Sequence, residues 1–260
     1  MSAPVEFTTR SPISASESIV LPEIYCLSYN NQIRRDHLSR VFESQNLRAH
    51  FYDGVGADDS RIAGRPLDKN TQRCWSIMYG HLDMLRFFIH TSSEYAIFCE
   101  DDILVRRDFS EHLPAILSDF KEFRLDVLLL GCLCSNAEFR KYSNFPELRP
   151  KDNARHPFEY YGYNSDPESA VWGTQMYMLH RAQAIYLWKK YADGYAETTL
   201  FDRSLTPFSS DWIITKDAPN KALMFPLVAI ENYQQEYADP GQDLCRRKSY
   251  RLFYSEDLYA

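Results

Sequence analysis

The chain of 260 residues has no run of 18 apolar residues, so no segment of it has the length to cross a bilayer as a helix. Its first apolar stretch, Ile19 to Leu27, is interrupted by Pro22 and Glu23 and follows a serine-rich segment. That pattern is not a secretory leader, and the expected location is the cytoplasm. No Asn-x-Ser/Thr acceptor site occurs. The six cysteines, at 26, 74, 99, 132, 134 and 245, show neither paired CxxC spacing nor a small-domain disulfide framework, and reduced, buried thiols are expected. Glycine is scarce, at nine residues, and no GxGxxG or GxxxxGK[ST] loop is present to cradle phosphates. A GxSxG nucleophile elbow is also missing, and the seven histidines never fall in HExxH or HxH spacing, which argues against serine hydrolases and zinc hydrolases. A net charge of −7 gives no global attraction to nucleic acid.

What is present is a dense globular composition, 45% apolar and 15% aromatic. Residues 1–18 are small, polar and punctuated by proline, and are expected to form a flexible N-terminal segment ahead of one domain spanning 19–260. Short β-prone runs at Ile24 to Ser28, His50 to Tyr52, Tyr95 to Cys99 and Asp126 to Leu133 alternate with stretches of helical periodicity. The helical stretches are Arg34 to Phe42, Thr71 to His90, with Trp75, Met78, Leu82, Leu85 and Phe88 inward, and Phe109 to Phe123. Alternation of this kind predicts an α/β fold with a mostly parallel central sheet and flanking helices. Residues 135–170 form a long polar connection, of the sort that shapes binding sites. Met176 to Lys190 resumes as helix or strand plus helix, Leu223 to Ile230 is the last apolar run, and 231–260 reads as a polar tail.

Three consecutive acids, Glu100-Asp101-Asp102, end the Tyr95 to Cys99 run. Like charges this close raise each other's pKa unless a cation neutralises them, and ligands of open α/β sheets bind outside the carboxyl ends of the strands. Alternation directs Glu100 and Asp102 to one side and Asp101 to the other, so two carboxylates can share Mn²⁺ or Mg²⁺. The same acids could instead cap the next turn or pair with Arg106 and Arg107. Arg34 and Arg35 stand where the negative groups of a nucleotide would be met, or else form a solvated pair on a helix's first turn. His81, on the Thr71 to His90 helix, fits a hydrogen-bonded core or cleft residue better than a metal ligand.

Taken in order, Tyr25-Cys26-Leu27-Ser28, Arg34 to Leu38, Phe51 to Gly56, Cys74 with Gly80-His81, and Tyr95 to Ile103 resemble glycosyltransferase family 25, which includes lipopolysaccharide-modifying glycosyltransferases and procollagen β-galactosyltransferases. The resemblance continues through Trp172 to Tyr177 and Asp211-Trp212 to Phe225-Pro226-Leu227, covering roughly residues 22–230. Three positions depart from the family pattern: Leu27-Ser28 stand where it usually has Asn-Leu, and Gly80 where it has Ser.

The resemblance implies a GT-A type nucleotide-sugar-binding fold, with the acidic triplet as counterpart of the DxD metal motif. It further implies transfer of a hexose, galactose from UDP-galactose, to a hydroxyl of a glycan, lipid-linked or protein acceptor with inversion. Asp102 and Glu100 would then hold the metal, with Arg34, Arg35, Glu100, Asp101, Gly173 and Thr174 on the nucleotide-sugar side. Asp211, in the polar turn Ser209 to Trp212, is the candidate general base and otherwise a plain helix cap. Gly173-Thr174 would let backbone approach the donor sugar or acceptor, or would be ordinary tight packing. Trp172 and Trp212 would stack on a sugar face or belong to the core. The alternatives are a phosphodiester or nucleotidyl enzyme using the same carboxylates, and a non-catalytic nucleotide-sugar or carbohydrate binder.

Overall fold

The computed structural model describes residues 20–133, 146–150, 157–165, 171–233 and 240–260. The expected loose segment 1–18, Cys134 and much of the 135–170 connection lie outside the described residues. The chain runs through β1 (Glu23–Ser28), α1 (Gln32–Glu43), β2 (Ala49–Asp53), α2 (Lys69–Ile89), β3 (Tyr95–Glu100), β4 (Ile103–Val105), α3 (Phe109–Glu122) and β5 (Val127–Leu133). It continues with β6 (Glu147–Leu148), β7 (Glu159–Gly162), β8 (Trp172–His180), α4 (Arg181–Tyr191), α5 (Tyr195–Thr199), α6 (Ser210–Lys216), β9 (Lys221–Phe225), β10 (Ala229–Glu231) and α7 (Pro240–Phe253).

Helix starts follow local chemistry. Asn31 accepts a hydrogen bond from the Arg34 N–H at the head of α1, and Asp68 accepts from the N–H groups of Asn70 and Thr71 at the head of α2. The His180 ring caps α4 by accepting from the Ala182 N–H.

The main sheet has the order β2-β1-β3-β8-β5-β9-β7-β6, and a second small sheet pairs β10 with β4. In the main sheet β7 and β8 run against the other strands, so the sheet is mixed with one dominant direction. Both faces are buried, which is why β1, β3, β5 and β8 read as continuous apolar runs rather than alternating ones. Tyr25, Phe98, Leu129 and Tyr177 face α2 and α4, packing on Met78, Leu82, Leu85, Phe88 and Leu187. Cys26, Ile97, Leu128 and Met178 face the opposite way onto Leu38 and Phe42 of α1 and Leu113, Ile116 and Phe120 of α3. Two of the departures from the family pattern meet here, because a Cβ at Gly80 would lie 2.6 Å from Cδ1 of Leu27. The bulkier strand residue requires the smaller helix residue.

The last apolar run, Leu223 to Ile230, is divided by Pro226, which has no N–H for a ladder, into β9 in the main sheet and β10 in the small one. The segment 231–260 is not a polar tail. Its residues 240–253 form α7, and the last residues return as an extension beside β4, with Ala260 exchanging two backbone hydrogen bonds with Val105 and Tyr259 Oη donating to the Leu227 carbonyl. Cys26, Cys99 and Cys132 are buried free thiols as expected, whereas Cys74 and Cys245 are only half-buried. No helix of the described residues is long and apolar enough to cross a membrane.

Phe98 is completely buried, with its ring 5.3 Å from those of Tyr25 and Tyr177. Phe98→Ala should therefore cost about 3–5 kcal/mol in urea unfolding. Phe201→Ala, at a ring that is 89% exposed, should change stability by less than about 0.5 kcal/mol.

Candidate active site

Glu100 ends β3, and Asp101 and Asp102 form the turn into β4. Because β8 runs antiparallel to β3, its first residues, including Gly173 and Thr174, arrive at the same edge of the sheet. The start of α6 joins them there, with Thr174 Oγ1 2.9 Å from Ser210 Oγ. In the small sheet Glu231 lies opposite Ile103, and the Asn232 N–H donates to the Asp102 carbonyl at 2.6 Å. Glu231 is thereby fixed beside the triplet.

The three acids have different surroundings. Asp101 accepts from Ser28 Oγ at 2.6 Å and from Arg34 Nη1 at 2.9 Å, so it ties the end of β1 and the first turn of α1 to the triplet. Glu100 accepts from Thr174 Oγ1 at 2.7 Å and lies 3.6 Å from His81 Nε2. The other ring nitrogen of His81 is 3.0 Å from Tyr177 Oη, which makes this fully buried histidine a cleft residue, as expected. Burial pushes the Glu100 carboxyl up, but His81 and Thr174 outweigh it and hold the group below its usual pKa.

Asp102 is different. Burial, then the charges of Glu231, Glu100 and Asp101, push its pKa up to about 8, with Arg34, 3.9 Å away, opposing them in part. It feels Glu100 more strongly than its own neighbour Asp101. That agrees with the alternation that sends Asp101 to the other side.

Arg34 meets the triplet, and Arg35 does not. The Arg35 guanidinium bonds the Ser28 carbonyl and the Asp53 carboxylate, linking α1 to β1 and β2. Arg106 and Arg107 do not pair with the triplet either; Arg106 forks onto Asp108 with contacts of 2.6 and 2.8 Å.

Asp211 sits in the first turn of α6, where Ser209 is the cap residue. Burial and then the charge of Glu100 raise its pKa, against the Gly173 N–H hydrogen bond and the charges of His81 and Arg246. Gly173 presents that N–H from a left-handed φ of +97°, which favours glycine, and the end of the Gln175 side chain fills the place a Cβ would take. Trp172 and Trp212 meet edge to face at 5.4 Å, and Lys216 Nζ lies 3.8 Å and 4.5 Å from their ring centres. The indoles are half-buried around a buried cation.

Among the described residues no three His, Cys, Asp or Glu side chains form a metal cage. Mg²⁺ and Mn²⁺ are commonly held by one or two carboxylates, with substrate phosphates completing the shell. The residues present fit such an ion: Asp102 supplies hard oxygen donors, and surplus negative charge around it presses its carboxyl toward neutrality, a cost a dication would remove.

Sequence reasoning missed Glu231, Gln175, Ser210 and Arg246. Glu231 carried a readable signal, an acid ending an apolar run as Glu100 does. Gln175, Ser210 and Arg246 had none, since their roles depend on the pairing of distant elements.

Asp102 generates a pH prediction for protein kept in chelator. Its folded pKa lies above the ordinary carboxylate value, so the folded state holds a proton that the unfolded chain releases. Stability should therefore fall as pH rises from about 4 to about 8. Thermal melts of wild type and Asp102→Asn should coincide near pH 4 and diverge toward pH 8, with the Asn variant the more stable there.

Residues 21–200 match glycosyltransferase family 25 (LPS biosynthesis protein). No curated protein matches the chain. Among solved structures, one similar protein is a glycosyltransferase involved in the glycosylation of the major capsid of PBCV-1. It is 9% identical, the alignment covers 92% of this chain and 93% of that one, and the TM-score is 0.41. Another is mannose-1-phosphate geranyltransferase from Thermus thermophilus, 11% identical over 78% of this chain and 72% of that one, with a TM-score of 0.36. With well over half of its length in the family match, and the acidic triplet, the Gly173-Thr174 turn and Asp211 gathered at one edge of an α/β sheet, the chain belongs to glycosyltransferase family 25 and is a glycosyltransferase.

Proposed function

We propose that this enzyme transfers a hexose, galactose from UDP-galactose, to a hydroxyl of a glycan, lipid-linked or protein acceptor, with inversion at the anomeric carbon. The observation that carries the reading is that carboxylates of two kinds, from different elements, meet at one sheet edge. Asp102 lies in a cluster with surplus negative charge, while Asp211 stands on a different element with its own N–H donor. An inverting displacement needs charge stabilisation on the leaving-group side and a base on the opposite face of the sugar.

A divalent cation, Mn²⁺ or Mg²⁺, held by Asp102 with Glu100 would supply electrostatic stabilisation to the departing diphosphate. Arg34, already against Asp101 and Asp102, brings a fixed positive charge to the same place. Thr174 and His81 keep Glu100 ionised. As the acceptor oxygen bonds to the anomeric carbon and the bond to the diphosphate oxygen breaks, Asp211 accepts the hydroxyl proton, and UDP leaves. Burial makes Asp211 a stronger base than an exposed carboxylate, and the Gly173 N–H fixes its orientation.

Two measurements test this. UDP release from a panel of UDP-sugars, with and without Mn²⁺, should favour UDP-galactose, and Asp211→Asn should bind UDP normally while kcat falls about 100-fold or more. Equal turnover would remove Asp211 from the mechanism, and preference for another donor would replace galactose. By calorimetry, Asp102→Ala should lose Mn²⁺-supported UDP binding; unchanged affinity would remove the cation from Asp102.

A further inference from the structure

The segment after residue 200 lies outside the family match, yet its last helix reaches the reaction centre. Arg246 of α7 extends to Glu231, with Nη1 3.2 Å from Oε1, and both side chains are largely buried. The other carboxylate oxygen of Glu231 accepts a long hydrogen bond, 3.4 Å, from Gln175 Nε2. The Gln175 side chain is in turn wedged against Gly173, in the space a Cβ would take. Gly173, held at φ +97°, donates its N–H to the Asp211 carboxyl.

Contacts therefore run without a gap from the C-terminal helix to the carboxylate proposed as base. Gln175 is 5% exposed and its Oε1 has no hydrogen-bond partner among the described residues, so the side chain's placement depends on its Nε2 contact to Glu231 and on packing. Glu231, beside Asp102, is the member of the acid cluster that Arg246 contacts, while the Arg246 charge also acts on Asp211 from a distance.

We propose that Arg246 is a positioning residue for Asp211: by holding Glu231, and through it Gln175, it fixes the left-handed turn at Gly173 whose N–H orients the Asp211 carboxylate. Arg246 need not touch either substrate. This inference rests on the reading of Asp211 as base for its catalytic consequence, but the positioning itself can be observed without turnover.

The chain has nine glycines, so ¹⁵N-glycine labelling of the full chain gives a sparse amide spectrum in which Gly173 is identified by its displacement in Asp211→Asn. Removing the cation with Arg246→Gln should displace the same cross-peak, and Arg246→Lys should return it toward the wild-type position. In UDP release from UDP-galactose, Arg246→Gln should lower kcat about 10- to 100-fold with KM for the donor nearly unchanged, and Arg246→Lys should recover most of it. Glu231→Gln combined with Arg246→Gln should cost no more than either change alone, since both break one path.

A Gly173 signal indifferent to Arg246→Gln overturns the proposal, as does additive loss in the double variant. Should Arg246→Gln fail to fold, Glu231→Gln breaks the same path from the other side and must displace the Gly173 signal. If wild type released no UDP, the functional reading would fall, and the amide spectrum would still decide the positioning.

Discussion

Five carboxylates, those of Glu100, Asp101, Asp102, Asp211 and Glu231, converge on one edge of the sheet, and the local structure is organised around keeping them there. Crowding like charges in a half-buried cleft is unfavourable unless each has a donor or a counter-charge. Asp101 has Ser28 and Arg34, Glu100 has Thr174 and His81, Glu231 has Arg246, and Asp211 has the Gly173 N–H. Asp102 is the least compensated, and its raised pKa expresses the surplus. A site for a charged nucleotide sugar gains from this asymmetry, because the remaining electrostatic cost sits at one carboxylate that a ligand can relieve.

The scaffold makes the crowding possible. A sheet buried on both faces gives a rigid edge, and the reversal of β8 brings the start of one strand to the end of another. Glu100 at the end of β3 and Thr174 on β8, 74 residues apart in the chain, can then share a hydrogen bond. The small β4–β10 sheet repeats the device for Glu231, and the C-terminal segment closes over it through Ala260 and Tyr259. Residues beyond the family match therefore serve the same edge as those within it.

The strands and helices of the first half were legible because their residues answer to local rules. Trp75, Met78, Leu82, Leu85 and Phe88 recur with helical period, and Tyr95 to Cys99 is apolar throughout because both faces of its strand are covered. The second half was less legible. Pro226 splits an apolar run between two sheets, and α7 is too polar along its length to announce a packed helix, although Ser249 and parts of Tyr250 and Phe253 are covered.

Of the site, the acidic triplet, its position at a strand end and the polar turn carrying Asp211 follow from residue types at fixed local offsets and can be read from the chain. Tertiary structure alone decided which partners the acids received: Arg34 rather than Arg35 or Arg106, His81 and Thr174 for Glu100, Glu231 beside Asp102, and Arg246 behind Glu231. The physical reason is that a carboxylate's ionisation is set by charges and donors within a few ångströms in space. In this chain those neighbours come from β1, α1, α2, β8, β10 and α7, elements that only the folded sheet brings together.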